Sequence, residues 1–251
     1  MRKIFVLIAT IIAAFFLAYI AHIVSTNNNV KDKTLGVTAI SVREAAPQST
    51  ALRNEIQSEQ PYPFISYQSE HILNIDAVLQ MPDYPTGCEI VSLAMALRYI
   101  TGEQVVIDTL IDDYLSTNNH DFITGFMGDP RREDGGGCFP PVIVNCANRF
   151  FADNHINLTA ADASGLTLDT LYETIDGGFP VLMWTTMYLE EPQFINHIIQ
   201  YGEENFQWYI SEHCILVKGY DAKKNVLVVN DPLVGEAEYD VDEFMEISDK
   251  I

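Results

Sequence analysis

Basic residues are the scarcest class for a chain of this size. Among 251 residues there are 14 Lys+Arg against 35 Asp+Glu, a formal net charge of −21. That shortage excludes a phosphate-backbone partner, because binding nucleic acid depends on Lys and Arg neutralising phosphates. Cysteine is also scarce. Four are too few for a disulfide scaffold, and their spacing is not that of a zinc ribbon. Cys138 and Cys146 are the pair that an exported protein could bridge, with free thiols the favoured reading. His71, His120, His155 and His197 show neither H-x-x-x-H spacing nor a cysteine partner, so no metal site is expected. No G-x-S-x-G elbow and no glycine-rich phosphate loop is present, and no organic cofactor is expected. Aromatic residues make up 11% of the chain, which excludes general disorder. The length suits one sizeable domain with appendages.

The apolar residues are unevenly placed. Residues 4–24 are apolar except for Thr10 and His22, and Arg2 and Lys3 precede them. Twenty-one helical residues at ~1.5 Å each span roughly 31 Å, the thickness of a bilayer core. The basic end predicts a cytoplasmic N-terminus, with everything after Ser25 outside. Residues 1–24 are thus read as a single transmembrane signal-anchor, or as a signal peptide with a poor cleavage site at Ile23-Val24-Ser25. The expected location is a bacterial-type cell membrane with an outward-facing domain, or the exterior if the signal is cut. Residues 25–60 contain no aromatic residue and read as a flexible stalk. Aromatics return at Pro61, and residues 61–251 read as the folded domain, without internal repeats. This part holds eight Lys+Arg against 31 Asp+Glu, so all the excess acidity belongs to it.

Within that part, Ile90, Leu93, Ala94 and Leu97 fit the i, i+3, i+4, i+7 template, with Gly102 as a stop. Val91, Ala96 and Ile100 make this helix apolar nearly all round, hence central and buried. Further helices are expected at 106–115, 140–153, 168–176 and 241–247. Strands are expected at 180–186, 213–220 and 225–230, with a short one near 208–210. The Gly-, Asp- and Pro-rich stretch 125–141 reads as a long ordered loop. Helices first and strands later predict an α+β domain.

The chemistry centres on Cys88. Tyr84-Pro85-Thr86-Gly87-Cys88-Glu89 places a cysteine at the start of the buried helix, with Thr86 or Gly87 at the N-cap. A helix N-terminus stabilises a thiolate and lowers its pKa. A partner base is available in Glu212-His213-Cys214, which opens a strongly β-type run. A hairpin turning between Ala222 and Lys223 sets His213 opposite Pro232 and within a residue of Asp231. Base and orienting carboxylate then meet at one end of a hairpin. Gln80, eight residues before Cys88, supplies an amide that can donate to an oxyanion beside the Cys88 N–H. Cys214 neighbours His213 and should face the opposite way, into the core. Trp184, Trp208 and Tyr209 are candidates for a groove lining or for core packing.

The run Gln80-Met81-Pro82-Asp83-Tyr84-Pro85-Thr86-Gly87-Cys88-Glu89, followed by Ser92, resembles the nucleophile motif of the C39-like cysteine peptidases, a branch of the papain-like fold. The likeness continues through Phe126-Met127-Gly128-Asp129-Pro130, Gly177-Gly178-Phe179-Pro180-Val181, Trp208, Glu212-His213 and Asp231-Pro232-Leu233. It implies a papain-like α+β fold with the nucleophile at the N-terminus of a central helix packed on an antiparallel sheet. It further implies Cys88 as nucleophile, His213 as general base and acid, Asp231 as orienting residue and Gln80 as oxyanion donor. The expected function is a tethered or secreted cysteine peptidase acting on a peptide or protein through a thioester. Acyl transfer or amidation on the same scaffold, and a non-catalytic binding module, are the alternatives.

Overall fold

The structure, a computed structural model, describes residues 37–41 as a backbone strand and residues 68–251 in full. Residues 4–24, expected to span a membrane, lie outside the described residues. Among the described residues no helix is long and apolar enough to cross a membrane.

One antiparallel sheet organises the domain. Its strands are β1 (Val37–Ser41), β2 (Glu70–Ile72), β5 (Thr159–Asp162), β6 (Val181–Thr186), β9 (Glu212–Asp221), β10 (Val226–Asp231) and β11 (Gly235–Asp240). They run in the order β11-β10-β9-β6-β1-β5. β9 carries β10 on one edge, while β6 and then β2 share the other. Two short strands, β3 (Thr117–Asn118) and β4 (Phe126–Met127), pair in parallel. A separate hairpin joins β7 (Gln193–Tyr201) to β8 (Glu204–Ile210). The helices are α1 (Cys88–Thr101), α2 (Pro140–Asp153), α3 (Leu168–Asp176) and α4 (Val241–Ser248). A short helical turn at Ile107–Thr109 continues as a π-helix over Leu110–Tyr114.

Local chemistry sets the ends of these elements. α1 stops where Gly102 turns left-handed at φ 71°. α2 begins with Pro140-Pro141, whose missing N–H groups cost nothing in a first turn. Thr167 and Asp240 cap α3 and α4 through their side-chain oxygens. Every residue of α1 from Cys88 to Leu97 is buried, as its all-round apolar pattern predicts. All ten residues of β9 are buried too, so both its faces are covered. α1, α3 and the strands on either side pack against it.

Two expectations are revised. Val37–Ser41 falls inside the stretch read as a stalk, yet it pairs with both β5 and β6, Thr38 opposite Asp162 and Leu182. Val37, Thr38 and Ile40 suit a strand, and neither Pro nor Gly interrupts them. The remainder of 25–60 lies outside the described residues. The β9–β10 hairpin also pairs one to two residues away from the expected register: Val226 lies opposite Asp221 and Val229 opposite Val217, with a bulge between Val228 and Val229. A bulge inserts a residue that hairpin arithmetic cannot see.

Candidate active site

Three segments converge at one end of the sheet: the loop through Gln80, the first turn of α1, and the paired ends of β9 and β10. Ser92 Oγ, one turn into α1, donates to the Cys214 carbonyl at 3.2 Å and pins the helix beside His213. The Gln80 N–H donates to the Pro232 carbonyl at 2.8 Å, tying its loop to the end of β10.

His213 is wholly buried, and its Nε2 lies 2.8 Å from Asp231 Oδ1. Asp231 accepts two further bonds, from the Leu233 N–H at 2.7 Å on Oδ1 and from the Tyr239 hydroxyl at 2.6 Å on Oδ2. Burial alone raises a carboxyl pKa. Here the bond and charge of His213, with the Tyr239 and Leu233 donors, outweigh it and hold Asp231 below its ordinary value. Burial and the Asp231 bond push the Tyr239 hydroxyl up. His213 Nδ1 is buried without a hydrogen-bond partner.

Gln80 is buried, and its Nε2 donates to the Pro85 carbonyl at 2.9 Å. An amide carries two N–H donors, so one remains. Its Oε1 has no partner.

Cys88 opens α1 behind an N-cap Gly87 that makes no side-chain capping bond. Thr86, the other N-cap candidate, turns its hydroxyl to the Arg132 carbonyl at 3.1 Å. The Cys88 thiol is not bonded to His213. It donates to Glu89 Oε2 at 3.3 Å. Glu89 Oε1 accepts the Cys138 N–H at 2.6 Å. Burial, together with the charges of Glu89 and Glu212, pushes the Cys88 thiol well above its ordinary pKa. The helix N-terminus was expected to lower it; burial, with the two carboxyls beside the sulfur, overcomes that favourable end. Burial pushes Glu89 up to about 7, against bonds from its own N–H and that of Cys138. Glu212 rises well above its ordinary value through burial and the charge of Glu89.

The loop between β4 and α2 closes over these carboxyls. A Cβ on Gly137 would stand 2.7 Å from Glu212 Oε2, 2.8 Å from Glu89 Oε1 and 2.9 Å from the Trp208 ring. Trp208 stacks on Phe139 with centroids 5.5 Å apart. Trp184 and Tyr209 are core residues, their polar tips spent on the Cys138 and Thr185 carbonyls. All four cysteines are buried free thiols, Cys138 and Cys146 included.

The fold thus pairs His213 with Asp231 and draws Gln80 to the turn before Cys88, but it directs the Cys88 thiol to Glu89. Sequence reasoning missed Glu89, Glu212 and Tyr239. Glu89 did carry a signal, as a carboxyl in the first turn of a helix apolar on every side. Glu212 lay beside His213 but gave no sign that it would meet a helix 123 residues earlier.

The scaffold that carries this cluster is an α+β fold of the papain-like kind. Residues 72–249 match the model of the Peptidase_C39 like family, and the chain belongs to that family. An uncharacterized Bacillus subtilis protein, YvpB, is 28% identical over 163 residues, 61% of this chain and 61% of its own, so the chain spans about three fifths of that relative. The crystal structure of a Bacillus anthracis protein assigned as a C39-like peptidase superposes with a TM-score of 0.60 at 22% identity, covering 71% of this chain and 91% of that one. At such identity the likeness is one of fold.

Proposed function

We propose that the chain is a cysteine peptidase in which Cys88 attacks a peptide carbonyl, and that residues 4–24 anchor it to a membrane, or export it, with this domain outside. One observation carries the catalytic reading: the buried His213–Asp231 pair engages Nε2 and leaves Nδ1 without a partner, on the strand to which α1 is pinned. A histidine held in this way has its other nitrogen free for proton transfer.

At rest the thiol is protonated and bonded to Glu89. When substrate engages, Sγ turns from Glu89 and gives its proton to Nδ1. The sulfur then forms a bond to the carbonyl carbon, and the oxygen takes up negative charge. The remaining Gln80 N–H and the Cys88 backbone N–H stabilise that oxyanion. His213, now charged and held by Asp231, returns the proton to the leaving amine as the C–N bond breaks. Water, with His213 again the base, hydrolyses the thioester.

Exposed apolar side chains border the site. Leu79 and Met81 flank Gln80, and Val234 follows the Asp231 turn. They suit an extended peptide with apolar side chains. The loop over Gly137 serves as the opposite wall.

The test compares new protein N-termini in an extracellular proteome treated with the wild-type chain or with Cys88→Ala. Cleavages confined to the wild type are expected, and identical sets would reject the peptidase reading. Capture of the acyl group by added amine in preference to water would assign acyl transfer instead.

A further inference from the structure

Although the sequence has no metal-ligand spacing, the fold sets beside Cys88 two buried carboxyls for which the peptidase chemistry has no use. Cys88 Sγ and one carboxylate oxygen each from Glu89 and Glu212 lie within 4.8 Å of one another, and all three residues are buried. They come from the first turn of α1 and the first residue of β9. Among the described residues, no Lys, Arg or His forms a salt bridge with either glutamate. Glu212 is 7% exposed, and its Oε1 has no hydrogen-bond partner. Gly137 keeps the space beside both carboxyls clear, since even a methyl group there would meet an oxygen of each.

Buried carboxyls without a basic partner either keep a proton or coordinate a cation. The donor set decides which cation. Ca²⁺ and Mg²⁺ take oxygen ligands alone, whereas one thiolate with two carboxylates suits Zn²⁺, which accepts sulfur and oxygen together in a four-coordinate site.

We propose that Cys88, Glu89 and Glu212 form a Zn²⁺ site, with the thiolate and one oxygen of each carboxylate as ligands and water as the fourth. The thiol proton passes to solvent as the Zn–S bond forms. Site formation is independent of the peptidase reading. The consequence that bound Zn²⁺ holds the nucleophile inactive rests on that reading.

The test titrates the full-length wild-type chain with Co²⁺, followed by absorbance, and with Zn²⁺ against a colorimetric chelator. A thiolate-to-cobalt charge-transfer band, abolished by Zn²⁺ at one equivalent per chain, is the expected result. Cys88→Ser should remove the band, and Glu212→Gln should weaken Zn²⁺ binding at least about tenfold, on the scale of losing a supporting group at a metal site. Absence of the band and of Zn²⁺ uptake in the wild type would overturn the proposal without recourse to any variant. So would a band that survives in Cys88→Ser, or unchanged affinity in Glu212→Gln. Proteolysis is measured separately with chelator present. Cleavage without metal binding removes this inference alone, and metal binding without cleavage removes the peptidase reading alone.

Discussion

The two ring nitrogens of His213 sit in unlike surroundings, one against Asp231 and one with no partner. Asn in place of Asp231 keeps the shape but no longer stabilises an imidazolium. Asp231→Asn is therefore expected to lower kcat/KM on a peptide substrate by about 10²–10⁴, read from initial rates. A fall under threefold would detach Asp231 from the mechanism. Gln80→Ala should lower kcat by about 10²–10³ if its free N–H meets the oxyanion, with KM little changed. Asp231 also marks an acid limit. Its folded pKa lies below the ordinary carboxylate value, so its contribution to stability is complete above the unfolded value near 3.9 and is lost as pH falls through the folded one. Urea midpoints should drop below about pH 4 in the wild type and drop less steeply in Asp231→Asn.

Among the elements, α1 carries the core and presents Cys88. Leu93 is wholly buried at its centre, and Leu93→Ala should cost about 2–5 kcal/mol, measured by chemical denaturation. Gly137→Ala tests the covering loop. Its new methyl group must displace Glu212, Glu89 or Trp208, so Cys88 alkylation rates should change while α1 stays folded by circular dichroism. An unchanged rate would mean that the loop yields freely. These elements differ in how far the sequence revealed them. α2 and α3 match their expected bounds, because proline, threonine and apolar period all agreed there. β7 was missed, since its edge exposes Phe194, Ile195 and Ile198 and gives no alternation to read. β11 was missed because Gly-Glu-Ala-Glu-Tyr-Asp is too polar to stand out, although it completes the sheet edge. The meeting of His213 with Asp231, and the place of Gln80 at the turn before Cys88, were legible through residue type and turn chemistry. The thiol's attachment to Glu89 was not, because a rotamer is decided by packing between distant segments.

For the whole molecule, charge is the dominant property. The folded part holds nearly all the acidic residues and few basic ones, so its field should draw cationic peptides toward it and repel an anionic surface. Matched substrates with basic and acidic flanks should differ in kcat/KM at low salt and converge as salt screens the field. Equal rates at low salt would remove charge as a selector. The position of β1 has another consequence. It lies inside the sheet, between β6 and β5, so the domain's sequence boundary falls before residue 37 and not at 60. Shedding of the domain by a second protease would then have a safe window and a damaging one. A cut before Val37 would release a closed sheet. A cut between Ser41 and Gln68 would leave β1 with the N-terminal piece, and the freed domain would either hold to it without a covalent link or expose the edges of β5 and β6 to pairing with another chain.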